Sequence, residues 1–356
     1  MRSIAVSGWS VSAVSEIPSN TALSVYCHEY LGERPTDLRR RLSVVTAQPS
    51  GRIEQLMSDD EEHLALGAMY RDGAQVTVTA LRSAPGALSK AAARQMVHHL
   101  RTIVSADGPA TIVVDDQTRS PVDRALRDEG FRAEGSAWKA AVRTGVLGPG
   151  DPLPEELEHI GWDRLNVHIV RDFELYAWPA KIFTGGVPCY MVPIKPEYAR
   201  VILGYEEPQR RLFEQHRRAA AARDNVYYMS PRRSVEAPAR IIWWVSGGGS
   251  RGGMRAMSWL DEVETGAPRR LYRRYRHYGV LDEHQVIETA KRSKRTGRSE
   301  ATALVFSQTE MFTEPVSIAR SREICDSMNQ NSYFITTRRI DENYVRAFYE
   351  EGMGPQ

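Results

Sequence analysis

The chain has 356 residues, a formal net charge of +2, and 42% hydrophobic and 26% charged residues. This length favours two domains over a single core, and the composition excludes a mainly disordered chain. No run approaches eighteen apolar residues and the first residues lack a signal-peptide core, so we expect a cytoplasmic protein without a membrane span. The three cysteines lie more than a hundred residues apart, which predicts free thiols and no structural metal.

The near-neutral total charge conceals a basic half. Residues 195–300 carry about 22 Lys/Arg against about 13 Asp/Glu, so the remainder is net acidic. The clusters RRLYRRYRHY and AKRSKRTGR mix cations with Tyr or polar residues, as surfaces that bind a phosphate backbone and stacked bases do. The alternative is a solvated, arginine-rich surface.

The segment from residue 62 to 143 has the clearest pattern of secondary structure. The runs HLALGAMY and AQVTVTALR are strand-like, and Asp72-Gly73 between them favours a tight hairpin turn. The helix SKAAARQMVHHLRTIVSA follows, with Ser89 as its predicted N-cap. A buried strand, a helix that stops at Gly130 and a last strand complete the segment.

This order, with LRDEGF before the last strand, resembles the second half of the GNAT acyltransferase fold over residues 55–145. The resemblance implies an α/β (α+β) domain over residues 1–150, whose first fifty residues supply the first strand and helices. It also implies acetyl-CoA as the cofactor. In that family a Tyr often acts as general acid at the position occupied here by Leu126, which cannot donate a proton. No catalytic residue is identified.

The GNAT resemblance also indicates where the cofactor would bind. In the family, the acyl-CoA pyrophosphate lies in a loop Arg/Gln-x-x-Gly-x-Gly/Ala before a helix, where amide N–H groups and the helix dipole meet the anion. Here the loop is RSAPGA, residues 82–87, in which Gly falls one position late and Pro85 has no N–H. The cofactor-binding residues implied by the resemblance are Arg82, Gly86, Ala87 and Ser89.

Residues 151–187 are interpreted as a linker. The stretch GVLGPGDPLPEELEHIG is dense in Gly and Pro and leads into a short acidic helix. The residues after it are predicted to form an extended strap that crosses between the two domains.

The stretch WWVSGGGSRGGMRAMSWLDEV, residues 243–263, raises the question of a phosphate-binding loop. Such a loop needs Gly-Lys-Ser/Thr followed by a helix, whereas GGGSRGGM has no Lys-Ser/Thr and MRAMSWLDEV alternates like a strand. We therefore predict a hairpin with a flexible tip, on which Arg251 and Arg255 could contact an anionic partner.

Residues 188–320 resemble the ASCH branch of the PUA-like superfamily, in which a mixed β-barrel with helical insertions begins with Ile-Lys-Pro-x-x-Ala. The matching motifs, in order, are IKPEYA from residue 194, NVYYMSP from residue 225, IIWWVSG from residue 241 and the strand ending in LDEV at residue 263. Such barrels bind RNA or modified bases beside the first helix. The resemblance implies cleft residues Lys195, Glu207, Arg210, Arg211, Tyr228 and Ser230. In an alternative interpretation, Tyr227, Tyr228, Trp243 and Trp244 are core residues.

The C-terminal tail, residues 321–356, is predicted to end in a helix capped by Asp341 that packs on one of the domains or on a second copy of the chain. The sequence thus predicts an RNA-binding protein, with tRNA as the natural candidate, whose GNAT-like domain modifies the bound nucleic acid or an aminoacyl-tRNA. The alternative is a non-catalytic regulator or toxin-system component in which both domains only bind. No metal site or Ser-His-Asp arrangement is recognised.

Overall fold

The described residues form two seven-stranded mixed sheets, joined by a helical segment that contains a small two-stranded sheet. The computed structural model describes residues 9–27, 32–58, 60–116, 121–203, 224–232, 234–247, 252–276, 281–292, 297, 299–329 and 332–354. Among these residues no helix is long and apolar enough to cross a membrane.

The N-terminal sheet has the strand order β1-β2-β3-β4-β5-β7-β6. Its strands are β1 (Trp9–Ala13), β2 (Arg52–Ser58), β3 (His63–Asp72), β4 (Gln75–Ser83), β5 (Ala110–Val114), β6 (Arg132–Glu134) and β7 (Ala137–Val142). Only β4 and β5 pair in parallel, whereas the other neighbours are antiparallel. The predicted hairpin is present: Asp72 pairs with Gln75, and Gly73 takes the positive φ of +57° that the turn requires.

Helices cover both faces of this sheet. On one face lie α1 (Asn20–Ser24) and α2 (Pro35–Thr46), and on the other lie α3 (Ser89–Ala106) and α4 (Val122–Asp128). The predicted helix α3 is confirmed over its full length, but its N-cap is Leu88, not Ser89. The Ser89 hydroxyl instead shares a hydrogen bond with the Ser83 hydroxyl, at 3.0 Å.

The connection between the sheets has a core of its own. It comprises β8 (Val146–Leu147), α5 (Glu155–Glu158), a 3₁₀ turn (Trp162–Arg164), α6 (Val167–Tyr176) and β9 (Lys181–Ile182). The prediction of an extended strap was wrong, because residues 167–176 are helical. The Asn166 side chain caps α6, and its apolar residues Val170 and Phe173 are buried in a cluster that includes Trp259 of the C-terminal sheet.

The C-terminal sheet has the strand order β11-β15-β13-β12-β10-β16, with β14 paired to β15. Its strands are β10 (Cys189–Ile194), β11 (Asp224–Met229), β12 (Ala239–Val245), β13 (Gly253–Gly266), β14 (Lys291–Arg292), β15 (Ser299–Ser317) and β16 (Arg338–Ile340). Repeated bulges between β13 and β15 curve this mixed sheet. In the described chain the hydrogen-bonded path does not close, but the Tyr227 hydroxyl of β11 donates to the Pro193 carbonyl of β10, at 3.4 Å.

The strands on either side of the glycine-rich stretch form an antiparallel pair. Val245 at the end of β12 lies opposite Gly253 at the start of β13, and residues 248–251 lie outside the described residues. A strand and not a helix follows the glycines, and the hairpin prediction is confirmed. Arg251 lies outside the described residues.

Strand β12 is buried on both faces. Trp243 and Trp244 point to opposite sides, yet they are only 0% and 5% exposed. Trp243 lies in a core formed mainly by strands β10, β12, β13 and β15. Trp244 lies in a second core, which these strands form with the C-terminal helices. Both belong to the core, as the alternative interpretation of these aromatic residues predicted.

The remaining helices flank this sheet. They are α7 (Pro196–Ile202), α8 (Pro268–Tyr275), α9 (Glu283–Thr289), α10 (Ile318–Ser327) and α11 (Glu342–Met353). Helices α8 and α9 pack over β11 and β15 as a helical insertion. The tail helix α11 is capped by Asp341 as predicted, and its apolar face, including Phe348, packs on the C-terminal sheet.

Candidate functional site

Strand β4 contains a β-bulge at the point where its pairing with β5 ends. On β3, Ala68 pairs with Ala80 and Met69 with Val78, which leaves Thr79 without an opposite residue. Such an extra residue bends a strand and increases its twist. The parallel pairing with β5 ends at Val78 too. The rest of β4 therefore continues without β5 as a partner. We call this place, where β4 and β5 separate, the fork; the chain runs from it into α3.

The loop between this fork and α3 exposes backbone amides. Residues 85–87 are exposed, and Gly86 has a φ of +135°, which strongly favours glycine. The Ser89 N–H donates to the Gly86 carbonyl, whereas those of Lys90 and Ala91 have no partner among the described residues. Because α3 is 18 residues long, its dipole and these amides favour an anion here.

The cofactor-binding residues predicted from the sequence lie at the fork but differ in exposure. Gly86 and Ala87 are on the exposed loop, and Ser89 is in the first turn of α3. Arg82 is 2% exposed, so its side chain is unavailable to a pyrophosphate in this conformation. Leu126 is fully buried in the core on the α3 side.

Arg82 instead belongs to a buried ionic cluster on the α2 side. Its guanidinium binds Asp116 and also Glu33, the latter at 2.8 Å. Asp116 also accepts from Arg41 and from the Leu81 N–H, both at 2.9 Å. Although burial lowers the pKa of Arg82, its carboxylate partners raise the pKa above the usual value. The cluster therefore holds two carboxylates, both ion-paired, at the mouth of the fork.

A neutral hydrogen-bonded chain lies on the same face. The Tyr26 hydroxyl donates to the Ala65 carbonyl at 3.4 Å, and the Gln55 amide nitrogen donates to the Tyr26 hydroxyl at 3.0 Å and to His63 Nδ1 at 2.6 Å. An amide N–H₂ only donates, so Nδ1 accepts and neutral His63 carries its proton on Nε2. The next residue, Leu64, accepts from the Ala84 N–H. A polar chain thus lies beside the loop before α3.

Sequence reasoning did not find this chain. A second bulge, at Leu64, has Leu56 opposite Ala65 and Met57 opposite His63. It changes the face on which His63 lies, so simple alternation along the strand misplaces it. The isolated tyrosine, glutamine and histidine carry no spacing signal.

In the C-terminal part, Lys195 is the exposed member of the predicted cleft among those that the structure describes. Its side chain is 66% exposed, and it lies 3.9 Å from Glu197 and 5.9 Å from the Tyr198 ring. Lys195 is the N-cap residue of α7. Glu207, Arg210 and Arg211 lie outside the described residues, so the structure brings together only part of the predicted set.

Three other residues that were predicted to bind nucleic acid are buried or hydrogen-bonded within the protein. Tyr228 is 1% exposed and Arg255 is 6% exposed, while the Ser230 hydroxyl donates to the Thr289 carbonyl at 3.2 Å. Burial raises the pKa of Tyr228, with a smaller contribution from Tyr272. The Tyr228 ring is therefore unavailable for base stacking in this conformation.

The basic helix α8 is largely neutralised. Arg270 binds Glu264 at 2.6 Å, and Arg274 binds Glu262 and Glu264 at 2.8 and 2.9 Å. Tyr275 donates to the same two carboxylates. These arginines fix α8 to β13 and offer less free charge to a polyanion than the sequence suggests.

No protein-family model matches the sequence, and no curated protein matches it. Solved structures match parts of it. The ASCH protein from Zymomonas mobilis covers 44% of this chain and 91% of its own at 17% identity, with a TM-score of 0.31.

Two further structures match over a smaller part of the chain. The PaiA N-acetyltransferase from Thermoplasma acidophilum, in complex with coenzyme A, covers 34% of this chain and 82% of its own at 12% identity, with a TM-score of 0.25. A mutant of the AtaT toxin, bound to the C-terminus of the antitoxin AtaR, covers 38% of this chain and 93% of its own at 16% identity, with a TM-score of 0.29.

Structures of an ASCH protein and of N-acetyltransferases thus each match a part of this chain, in line with the two resemblances drawn from the sequence. At these identities the likeness concerns the fold alone. Within the described residues, no group of three or more His, Cys, Asp or Glu could hold a metal ion. Cys27, Cys189 and Cys325 are free thiols, the last two buried.

Proposed function

We propose that the chain is an acyl-CoA-dependent acyltransferase that acts on a nucleic acid or aminoacyl-tRNA held by its C-terminal part. The observation that carries the proposal is the fork at Thr79, which ends beside the exposed first turn of α3. The fork would hold the acyl group of acyl-CoA, and the free amides next to it would hold the phosphates of the coenzyme.

The residues present fit acyl-CoA at the backbone. The N–H groups of Lys90 and Ala91 would hold the pyrophosphate, and Gly86 lets the loop approach it closely, since nothing lies within 4 Å of a Cβ at that position. Acyl-CoA would supply an activated thioester carbonyl. The proposed role of His63 is to donate a hydrogen bond from Nε2 to the acceptor or to the developing charge.

Calorimetry with acetyl-CoA tests the cofactor. Gly86→Ala should weaken binding severalfold, because an L-residue strains the loop at a φ of +135°. Gly108→Ala is the matched control, since Gly108 has a φ of +97° and open space but lies beyond the other end of α3. No heat with the unaltered chain, or equal weakening by both variants, contradicts the cofactor proposal.

A gel shift with bulk tRNA tests the acceptor. Binding should weaken with salt, with a slope set by the number of cation–phosphate contacts. Lys195→Gln should weaken binding and reduce the slope by about one. The absence of a shift at low salt removes the RNA part of the proposal.

A non-catalytic regulator is the second candidate. It is favoured by the lack of an amide hydrogen at Pro85 and by the burial of Arg82 and Leu126. RNA binding without any acetyl-CoA binding is the result that selects it.

A further inference from the structure

Asp115 directly follows β5, at the point where β4 and β5 separate. Its N–H donates to the Val78 carbonyl at 3.0 Å. That carbonyl belongs to the peptide bond between Val78 and Thr79, the residue that forms the bulge. The backbone of Asp115 is therefore fixed beside the fork, where the proposed function places the acyl group.

The side chain of Asp115 lies on the α2 face of the sheet. Along β5, Ile112 and Val114 belong to the core that β5 shares with α3 and α4, so Val113 and Asp115 point to the opposite face. The buried core on that face is built from β2, β3 and β4 together with α1 and α2. Beside it, Thr111 and Asp115 are exposed. Within the described part of the chain, an acceptor can therefore reach the fork from the face opposite the amides of α3.

The oxygens of Asp115 are available, whereas those of its acidic neighbours are not. Glu33 binds Arg82 at 2.8 Å, and Asp116 binds both Arg82 and Arg41. These two carboxylates and two arginines leave no net charge beside Asp115. The Asp115 carboxylate is exposed and has no ion pair or hydrogen bond among the described residues. It is thus the carboxylate at the fork that is free to contact a substrate.

We propose that Asp115 is the general base of the acyl transfer, an inference that rests on the proposed function. The reaction forms a bond from an amine nitrogen to the acyl carbon and breaks the carbon–sulfur bond, whose electron pair leaves with sulfur. The nitrogen loses one proton as it becomes an amide nitrogen. Asp115 accepts this proton and releases it to solvent, from which the departing thiolate is protonated.

The charge of Asp115 favours the amino end of an aminoacyl-tRNA over other parts of a nucleic acid. A carboxylate repels the phosphates of the backbone and attracts an amino group in its ammonium form. The acceptor atom that suits this place is therefore the amino nitrogen of the esterified amino acid.

Binding of an amine, without any transfer, tests the contact with Asp115. An amide-linked aminoacyl-adenosine carries a free amino group, whereas its N-acetyl form does not. The unaltered chain should bind the free amine about two- to fivefold more tightly, as expected for an exposed ion pair. Asp115→Asn should remove this preference. Asp107→Asn is the matched control, because Asp107 is also exposed but lies at the far end of α3. A preference that persists in Asp115→Asn overturns the contact.

Transfer from acetyl-CoA to an aminoacyl-tRNA tests the proton acceptor. Asp115→Asn should lower kcat by about 10²–10⁴-fold, the usual contribution of a general base. Asp115→Glu keeps a carboxylate and should retain more of the rate. Calorimetric affinity for acetyl-CoA should stay within about twofold in both variants, because the side chain lies on the face opposite the amides of α3. A kcat for Asp115→Asn equal to that of Asp107→Asn overturns the assignment.

Failure of this inference is distinguishable from failure of the proposed function. If the unaltered chain neither binds acetyl-CoA nor acetylates aminoacyl-tRNA, the proposed function fails and the inference fails with it. If the unaltered chain acetylates aminoacyl-tRNA and Asp115→Asn does so at the same rate, only the inference is overturned.

Discussion

Arg101 and Arg240 belong to different parts of the fold, yet they bind neighbouring residues of the same helix. Arg101, on α3, donates to the carbonyls of Leu175 and Tyr176 at 2.6 and 3.1 Å. Arg240, on β12, binds the Glu174 carboxylate at 2.9 Å. Both arginines are 1% exposed. The end of α6 is therefore held from both parts of the chain.

Removal of Arg240 is expected to destabilise the protein strongly. Arg240→Met leaves Glu174 and Glu342, each 2% exposed, without their cation, a loss that typically costs about 3–5 kcal/mol. Arg320→Met is the control, because Arg320 pairs with Glu323 at the surface, where solvent screens the pair and its loss should change stability far less. Urea unfolding measures both. A loss for Arg240→Met no larger than that for Arg320→Met would show that the pairing contributes little.

Gly130 should tolerate alanine less well than Gly73. A Cβ at Gly130 would lie 2.4 Å from the Leu175 carbonyl carbon and 2.5 Å from its oxygen, whereas a Cβ at Gly73 meets nothing within 4 Å. Both residues have positive φ, so backbone strain is common to both. Gly130→Ala should cost about 1–3 kcal/mol more, from overpacking against α6. Thermal unfolding compares the two, and equal midpoints would be inconsistent with this contact.

The elements that the sequence predicts well are those whose pattern is local. Helix α3 has apolar residues at helical spacing, and the β3–β4 hairpin has Asp-Gly at its turn, so neither needs a distant partner to be predicted. The helix α6 was missed because aromatic residues and nearby prolines masked a short amphipathic pattern. Its capping residue, Asn166, is the local signal that was available.

The candidate site was less predictable because its geometry depends on contacts between distant residues. The loop before α3 was found from Gly86 and its neighbours. The burial of Arg82 depends on Glu33 and Asp116, which lie 49 and 34 residues away. The bulges at Thr79 and Leu64 arise from strand register, which a single strand does not specify. The charge of α8 was predicted correctly, but its neutralisation by β13 was not.

The hydroxyl of Tyr26 is expected to stabilise the fold at neutral pH. Tyr26→Phe leaves one N–H of the Gln55 amide without its acceptor and removes the O–H that donates to the Ala65 carbonyl, which should cost about 1 kcal/mol. Burial raises the pKa of Tyr26 to about 12. The unaltered chain should therefore lose stability between pH 10 and about 12, as the unfolded tyrosine ionises first, whereas Phe does not titrate. Urea unfolding at about pH 7 and about pH 11 should show the difference shrinking, and a constant or growing difference would contradict the buried network.

The buried carboxyl of Glu342 should give an acid-side pH dependence with an unusual sign. Burial raises the pKa of Glu342, and this outweighs Arg240 and the Val187 N–H, which lower it. Below its ordinary pKa of about 4.3 the carboxyl is protonated in both states. As the pH rises through that value, the carboxyl ionises in the unfolded state before it ionises in the folded state. The stability that Glu342 contributes therefore falls with rising pH, and the fall stops once the pH exceeds the pKa of the folded state. Relative to Glu342→Gln, the unaltered chain should be most stable in acid and should lose stability towards neutral pH.

Glu351→Gln is the matched control of opposite sign. Arg320 lowers the pKa of Glu351, so the contribution of Glu351 is present above its ordinary pKa and is lost as the pH falls. Urea midpoints from about pH 4 to about pH 7 should therefore show the unaltered chain losing stability against Glu342→Gln with rising pH, but gaining slightly against Glu351→Gln. Slopes of the same sign for the two variants would mean that the ion pair with Arg240, and not burial, dominates at Glu342.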